Sequence, residues 1–165
     1  MMQISDISEK EQNAFIRKKA KLFASKYKHL NLDFSPQSLD RLDQSRIREG
    51  LTAADMETKA ELMGGLIAYY GEVLIQYVDP KAVFRFTVPE EKRLNPNNDF
   101  AIDFFNKKIK SIGVETAVSK WLRGEITLKA HFTSEVLLLI LDYEDIYHKK
   151  LKIHKPLMAA KSRKK

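Results

Sequence analysis

The chain has no cysteine in its 165 residues. That excludes a disulfide scaffold, a thiolate nucleophile, a cysteine zinc site and an iron–sulfur cluster, and it fits a reducing compartment. Glycine and proline are sparse, six and five residues, so collagen-like and low-complexity compositions are excluded as well. The longest strongly apolar run, Val136 to Leu141, is far shorter than the roughly 20 residues of a membrane-spanning helix. No continuous apolar segment of the kind a secretion signal carries lies in the first thirty residues. A cytoplasmic protein with no membrane partner is expected. What is present, 44% hydrophobic and 31% charged residues, is the balance of an ordinary globular domain.

The net charge of +7 is unevenly spread. Residues 149–165 hold eight Lys/Arg and no acid, and residues 1–31 hold seven bases against three acids. The centre, residues 32–148, is net acidic with 14 bases and 19 acids. A nucleic-acid-binding fold usually carries a basic face across its body, whereas here the basic groups sit at the two ends. The expected organisation is one globular domain over 1–151 and a basic, flexible C-terminal tail over 152–165.

Ile16, Ala20, Phe23, Tyr27 and Leu30 are spaced as one face of a helix over 9–30, with Arg17, Lys21 and Lys28 on a separate stripe. Ser35-Pro36 is a helix start, since Ser caps free amides and Pro suits the first helical position. That helix is expected to stop near Gly50, and Thr52 to cap the next. From Thr52 to Tyr77 apolar residues repeat every 4, 3, 4, 3 positions from Met56 onward and broaden to half the circumference. This helix is expected at the centre of the fold, its Gly64 and Gly71 allowing another backbone to approach closely.

Alternation over Val83–Val88 predicts a strand. The Asn95–Asp99 turn predicts a following helix with Ala101, Phe105, Ile109 and Ile112 on one face, and Gly113 to Gly124 bracket a short helix. Ile126, Leu128, Ala130 and Phe132 alternate as a second strand, and Thr133 or Ser134 then caps a last helix from about 134 to 150, with a buried strand over Val136–Leu141 as the alternative to helix. The fold class expected from these elements is α+β, a helix-dominated single domain with a central long helix packed on a small sheet.

Chemistry is harder to find. His29, His131, His148 and His154 have no close-ligand spacing, and His131/Glu135 and Glu144/His148 read as helix-surface pairs, so no metal is expected. There is no nucleophile elbow, phosphate-binding loop or kinase glycine loop, and no cofactor is expected. Glu72 lies on the narrow polar side of the central helix and needs a partner if that side is covered, with Arg85 on the next strand the candidate. Glu72, Arg85, Tyr69 and Tyr70 form the candidate polar site. Arg17, Lys21 and Lys28 with Lys161, Arg163, Lys164 and Lys165 of the tail are the candidate anion-contacting groups.

Leu32-Asp33-Phe34-Ser35-Pro36-Gln37-Ser38-Leu39-Asp40-Arg41-Leu42-Asp43, followed by Gly65-Leu66-Ile67-Ala68-Tyr69-Tyr70-Gly71-Glu72-Val73-Leu74, resembles a pattern in a family of small bacterial domains. That pattern reads FSPxSLxxLD, then a helix ending GAYxGEV, then a Gly-Gly-x-Trp strand start. The resemblance covers about residues 32–90, and Asp79-Pro80-Lys81-Ala82-Val83-Phe84 stands where the Gly-Gly-x-Trp element would be. It implies a compact bacterial α+β domain and no catalytic residues. The function expected is a cytoplasmic, non-enzymatic protein-binding or regulatory module, an immunity-like role being one form of it. Two alternatives stand beside this. One is weak, sequence-independent binding of nucleic acid or another polyanion through the first helix and the tail. The other is a small-molecule enzyme with a pocket near Glu72. The apolar faces can be buried within one chain or across a homodimer.

Overall fold

The structure, a computed structural model, describes residues 8–86, 100–111 and 113–153. Within them the order is α1 (Glu9–Lys26), a 3-10 turn (Lys28–Leu30), α2 (Pro36–Gln44), α3 (Ile47–Ala53), α4 (Met56–Val78), β1 (Val83–Phe86), β2 (Phe100–Phe104), β3 (Ile109–Ser111), α5 (Gly113–Leu122) and α6 (Leu128–Tyr147). The three strands form an antiparallel meander, β1-β2-β3. The expected α+β, helix-dominated single domain is what is found. Its buried residues form one cluster running from Ile16 to Leu139, with Leu151 and Ile153 packed against it.

Helix α4 is the axis of the molecule. Every residue from Gly64 to Ile75 is buried, so this stretch is covered on all sides. A helix without a wet face cannot stand at a surface, and the other elements surround it. Helix α1 runs antiparallel along one flank, placing Phe23 against Gly65 and Arg17 against Glu72. The sheet meets α4 at Gly71. A methyl group there would lie 2.6 Å from Cε1 of Phe84 and 3.1 Å from Cδ1 of Ile102, residues paired across β1 and β2. The close approach expected of another backbone is therefore made at Gly71 by an aromatic ring.

Local chemistry sets the ends of the helices. Ser8 and Glu11 form a reciprocal capping box at the start of α1. The helix expected to reach residue 30 ends at Lys26, and Asn31 turns the chain at φ 49°. Ser35 and Pro36 open α2 as expected, but α2 stops at Gln44. The Ser45 hydroxyl donates to the Leu42 carbonyl and accepts from the Ile47 amide, separating α3, so Gly50 lies inside a helix and does not end one. The cap of α4 is Asp55, whose carboxylate accepts from Thr58 N at 2.8 Å. Thr52 instead belongs to α3, bonding back to the Arg48 carbonyl, and Met56 is 83% exposed and off the core face.

Two expectations in the second half are overturned. Residues 100–111 are a β-hairpin, not a helix, closed by Phe105, Asn106 and Lys107, all at positive φ. The turn is held from outside: Phe105 N donates to Asp79 Oδ2 at 2.8 Å and Tyr147 Oη donates to the Phe105 carbonyl. Residues 128–132 are not a strand but the first turn and a half of α6, which starts seven residues earlier than Ser134 would have it. Its cap is Thr127, and the Asp43 carboxylate of α2 accepts from the Leu128 and Lys129 amides at 2.8 and 3.0 Å. Val136–Leu141 is helical, not a strand, and α5 forms as expected, closed by Gly124 at φ 73°. Thr87, Val88, the Asn95–Asp99 turn, Ile112 and His154 lie outside the described residues.

Two glycine substitutions separate close packing from helix propensity. Gly71→Ala is expected to lower stability by about 1–3 kcal/mol, because the Phe84 ring must shift within a filled core. Gly50→Ala has nothing within 4 Å of the added carbon and is expected to raise stability by up to about 1 kcal/mol. Urea unfolding of the two variants beside the parent chain checks both signs.

Candidate functional site

The candidate polar residues do not form one site. Glu72, 8% exposed, faces Arg17, with Arg17 Nε 3.3 Å from Glu72 Oε2. Each of these two atoms is buried and has no hydrogen-bond partner, so an off-angle ionic contact is what compensates their charge. The other carboxylate oxygen accepts from Gln76 Nε2 at 3.1 Å, and Arg17 Nη2 donates to the Ala82 carbonyl. The expected Glu72–Arg85 pair is not made. Arg85 Nε instead contacts both oxygens of Asp103 on β2, at 3.0 and 2.9 Å. The reason is register: Arg85 lies opposite Ala101, beside Asp103, on a neighbouring strand, whereas Arg17 reaches Glu72 across the α1–α4 seam.

Tyr69 and Tyr70 leave α4 toward different neighbours. Tyr69 Oη donates to Ser38 Oγ at 2.6 Å and accepts from the Phe34 amide at 3.0 Å, while the Phe34 ring lies 4.8 Å from its own. Phe34 and Ser38, either side of the start of α2, thus close on Tyr69 of α4. Burial raises the Tyr69 hydroxyl above its ordinary pKa, with its hydrogen bonds to Ser38 and from Phe34 opposing the shift. Tyr70 Oη lies 2.6 Å from His131 Nδ1 and is raised well above the ordinary range by burial. His131 therefore pairs with a tyrosine of α4 and is not a simple helix-surface partner of Glu135. Burial lowers its pKa, the charge of Glu135 opposing and that of Lys120 assisting. Asp43, which caps α6, is raised by burial in spite of its two backbone bonds.

The anion-contacting candidates also separate. Arg17 is committed to Glu72 and Ala82, whereas Lys21 and Lys28 are exposed. Lys161, Arg163, Lys164 and Lys165 lie outside the described residues. Among the described residues no group of three His, Asp or Glu is placed to hold a metal ion, and no helix is long and apolar enough to cross a membrane.

A groove of about 430 Å³ opens elsewhere, along the seam between α1 and the first half of α4. Phe15, Leu22 and Phe23 from α1 and Leu62 and Gly65 from α4 line its apolar surface, with Lys18, Lys19, Lys26 and Glu61 as its charged groups. Phe15 and Leu22 are 51% and 60% exposed. The Lys19 ammonium sits 5.0 Å from the Phe15 ring centre, and partial burial lowers its pKa while Glu61 opposes the shift. Glu72, Tyr69 and Tyr70 do not line this groove. The sequence held a signal for it: Phe15 and Leu22 are seven apart, one face of the helix, yet fall outside the Ile16–Ala20–Phe23 core stripe.

No protein-family model, no curated protein and no solved structure matches the chain.

Removing one member of the Arg17–Glu72 pair strands the other. Glu72→Gln is expected to cost on the order of 2 kcal/mol, less than the full penalty of a completely buried pair because Arg17 keeps partial solvent contact. Glu61→Gln, at an exposed position, is expected to cost under about 0.5 kcal/mol; equal losses in thermal unfolding would contradict this account. The lowered pKa of His131 carries its own pH signature. The unfolded chain takes up that proton more readily, so the contribution is complete above about pH 6.5 and is lost as pH falls toward the folded value. His131→Gln is expected to flatten the stability profile below that pH, measured as urea midpoints across a pH series.

Proposed function

We propose that the chain is a non-enzymatic protein-binding module whose α1–α4 groove takes an acidic amphipathic helix. The observation that carries this reading is the groove itself, with exposed Phe15 and Leu22 between Lys18, Lys19 and Lys26. An apolar strip bordered by cations suits a helix that presents Leu or Phe anchors at i, i+3, i+4 and i+7 with Asp or Glu beside them. Burying each anchor contributes about 1.5–3 kcal/mol. The lysines add orientation and speed of encounter more than affinity, and their share falls as salt rises.

Several features favour this reading over the alternatives. Glu72 is held by Arg17 and Gln76, Tyr69 by Ser38 and Phe34, and Tyr70 by His131. These contacts support a structural role for the candidate polar residues rather than a catalytic one. The groove's cations are interleaved with exposed aromatic and aliphatic groups, which a polyanion's phosphates would leave uncovered. A regulatory role, immunity-like or otherwise, is then binding of this kind that masks a partner's helix.

Selection from a displayed library of random fifteen-residue peptides tests the reading. Acidic sequences with helical apolar spacing are expected to be enriched, and Leu22→Glu is expected to weaken their binding at least about tenfold, or about 1.4 kcal/mol. Enrichment of basic or uncharged peptides would overturn it. So would labelled RNA binding that Lys26→Glu abolishes while no peptide is selected.

A further inference from the structure

The groove has a complement on the same molecule. On α6, Leu137, Leu138 and Leu141 are 50%, 56% and 60% exposed, and Ile146 is 44% exposed. The three leucines lie along the outer face of a helix whose inner face is Leu128, Phe132, Val136 and Leu139, while Ile146, two turns beyond Leu139, continues the inner stripe at the end of the helix. Asp142 and Asp145 border the leucines and are exposed, and neither pairs with a basic group among the described residues. The α6 face is thus an apolar strip with acids beside it. The α1–α4 groove is an apolar strip with three lysines and one acid, Glu61, beside it, a net positive border.

At 1.5 Å per residue the three leucines span roughly 6 Å of helix and fit within the roughly 16 Å from Phe15 to Lys26. The two surfaces lie on different flanks: α1 packs on α4 and β1, while α6 packs on α2, α4, α5 and β3. One copy therefore offers both surfaces at once. Two α6 faces docked on each other would gather acids from both copies, whereas α6 docked on the groove sets Asp142 and Asp145 beside a surface whose charges are mostly lysines.

We propose that a second copy of this chain occupies the groove, its α6 leucine face lying between the lysines of α1. The contact is heterologous, joining unlike surfaces head to tail, so it extends or closes into a ring by adding copies. This inference rests on the groove's preference for an acidic amphipathic helix and names the helix. Self-association then sets how much groove is open to any other partner, because the two compete for the same residues.

Sedimentation velocity of the full chain at rising protein concentration tests the inference, with Leu22→Glu disabling the groove and Leu138→Glu disabling the α6 face. Both substitutions fall on exposed positions, and circular dichroism confirms their folding. The parent chain is expected to gain mass with concentration, and each variant alone to stay monomeric. An equimolar mixture of the two variants is expected to form a dimer and nothing larger, because one intact groove meets one intact α6 face. A parent chain that stays monomeric overturns the inference. So does self-association that survives Leu22→Glu, and so does a mixture that stays monomeric. Binding of a selected acidic peptide to a parent chain that remains monomeric would sink the second copy as occupant and leave the groove's preference standing. A groove that binds neither peptide nor second copy removes both.

Discussion

Twelve consecutive buried residues in α4, Gly64 to Ile75, are the constraint from which the rest of the architecture follows. Such a segment exposes apolar surface in every direction until something covers it, and the driving force is proportional to the area covered. Beside α3, α5 and α6, three covers show how the contacts are made. Helix α1 lies against Gly65, the sheet rests on Gly71 through Phe84 and Ile102, and α2 closes over Tyr69 through Phe34 and Ser38. Each meets α4 where its side chain is absent or ends in a hydroxyl that finds a bond. The cost of placing glycine in a helix, about 1 kcal/mol each, is offset by the contact it allows.

Charge is handled by the same surrounding layer. Among the described residues Glu72 and Asp103 are the buried acids, and each is met by an arginine from a neighbouring element: Arg17 from α1 and Arg85 from β1. Arginine suits both places, since its charge persists through burial and its planar head can serve two acceptors. Asp43 does comparable work without a cation, accepting two amides at the start of α6 while Lys129 pairs with its neighbour Asp40. Polar groups inside this fold therefore mark seams between elements: α1 with α4, β1 with β2, α2 with α6.

The parts legible in the sequence are those whose signals are local. Ser35-Pro36, the long apolar run of α4 and the Gly124 stop are readable because cap, periodicity and breaker lie within a few residues of one another. The hairpin at 100–111 was masked because its turn is Phe-Asn-Lys with no glycine, kept at positive φ by Asp79 and Tyr147 from distant parts of the chain. The start of α6 looks like a strand in the sequence because Leu128, Ala130 and Phe132 alternate, while half of the cap comes from Asp43, 85 residues earlier. The charge partner of Glu72 is hidden for a like reason: the neighbouring strand offers Arg85, and only the antiparallel course of α1 reveals Arg17. The groove shows in the sequence only as the Phe15–Leu22 spacing on α1, because its other wall belongs to a second helix.

The side chains of Gln12 and Asn13 have a consequence beyond packing. β1 is an edge strand, and its outward amides at Phe84 and Phe86 donate to Asn13 and Gln12 of α1 at 2.9 and 3.1 Å. A strand edge left bare is a template on which other chains add as further strands. The first helix is thus a stopper on the sheet as well as a wall of the groove. A copy in which α1 swings away loses one wall of the groove and two of the hydrogen bonds that hold the edge of β1 in the same movement, so the groove and the guarding of the sheet edge depend on the same helix.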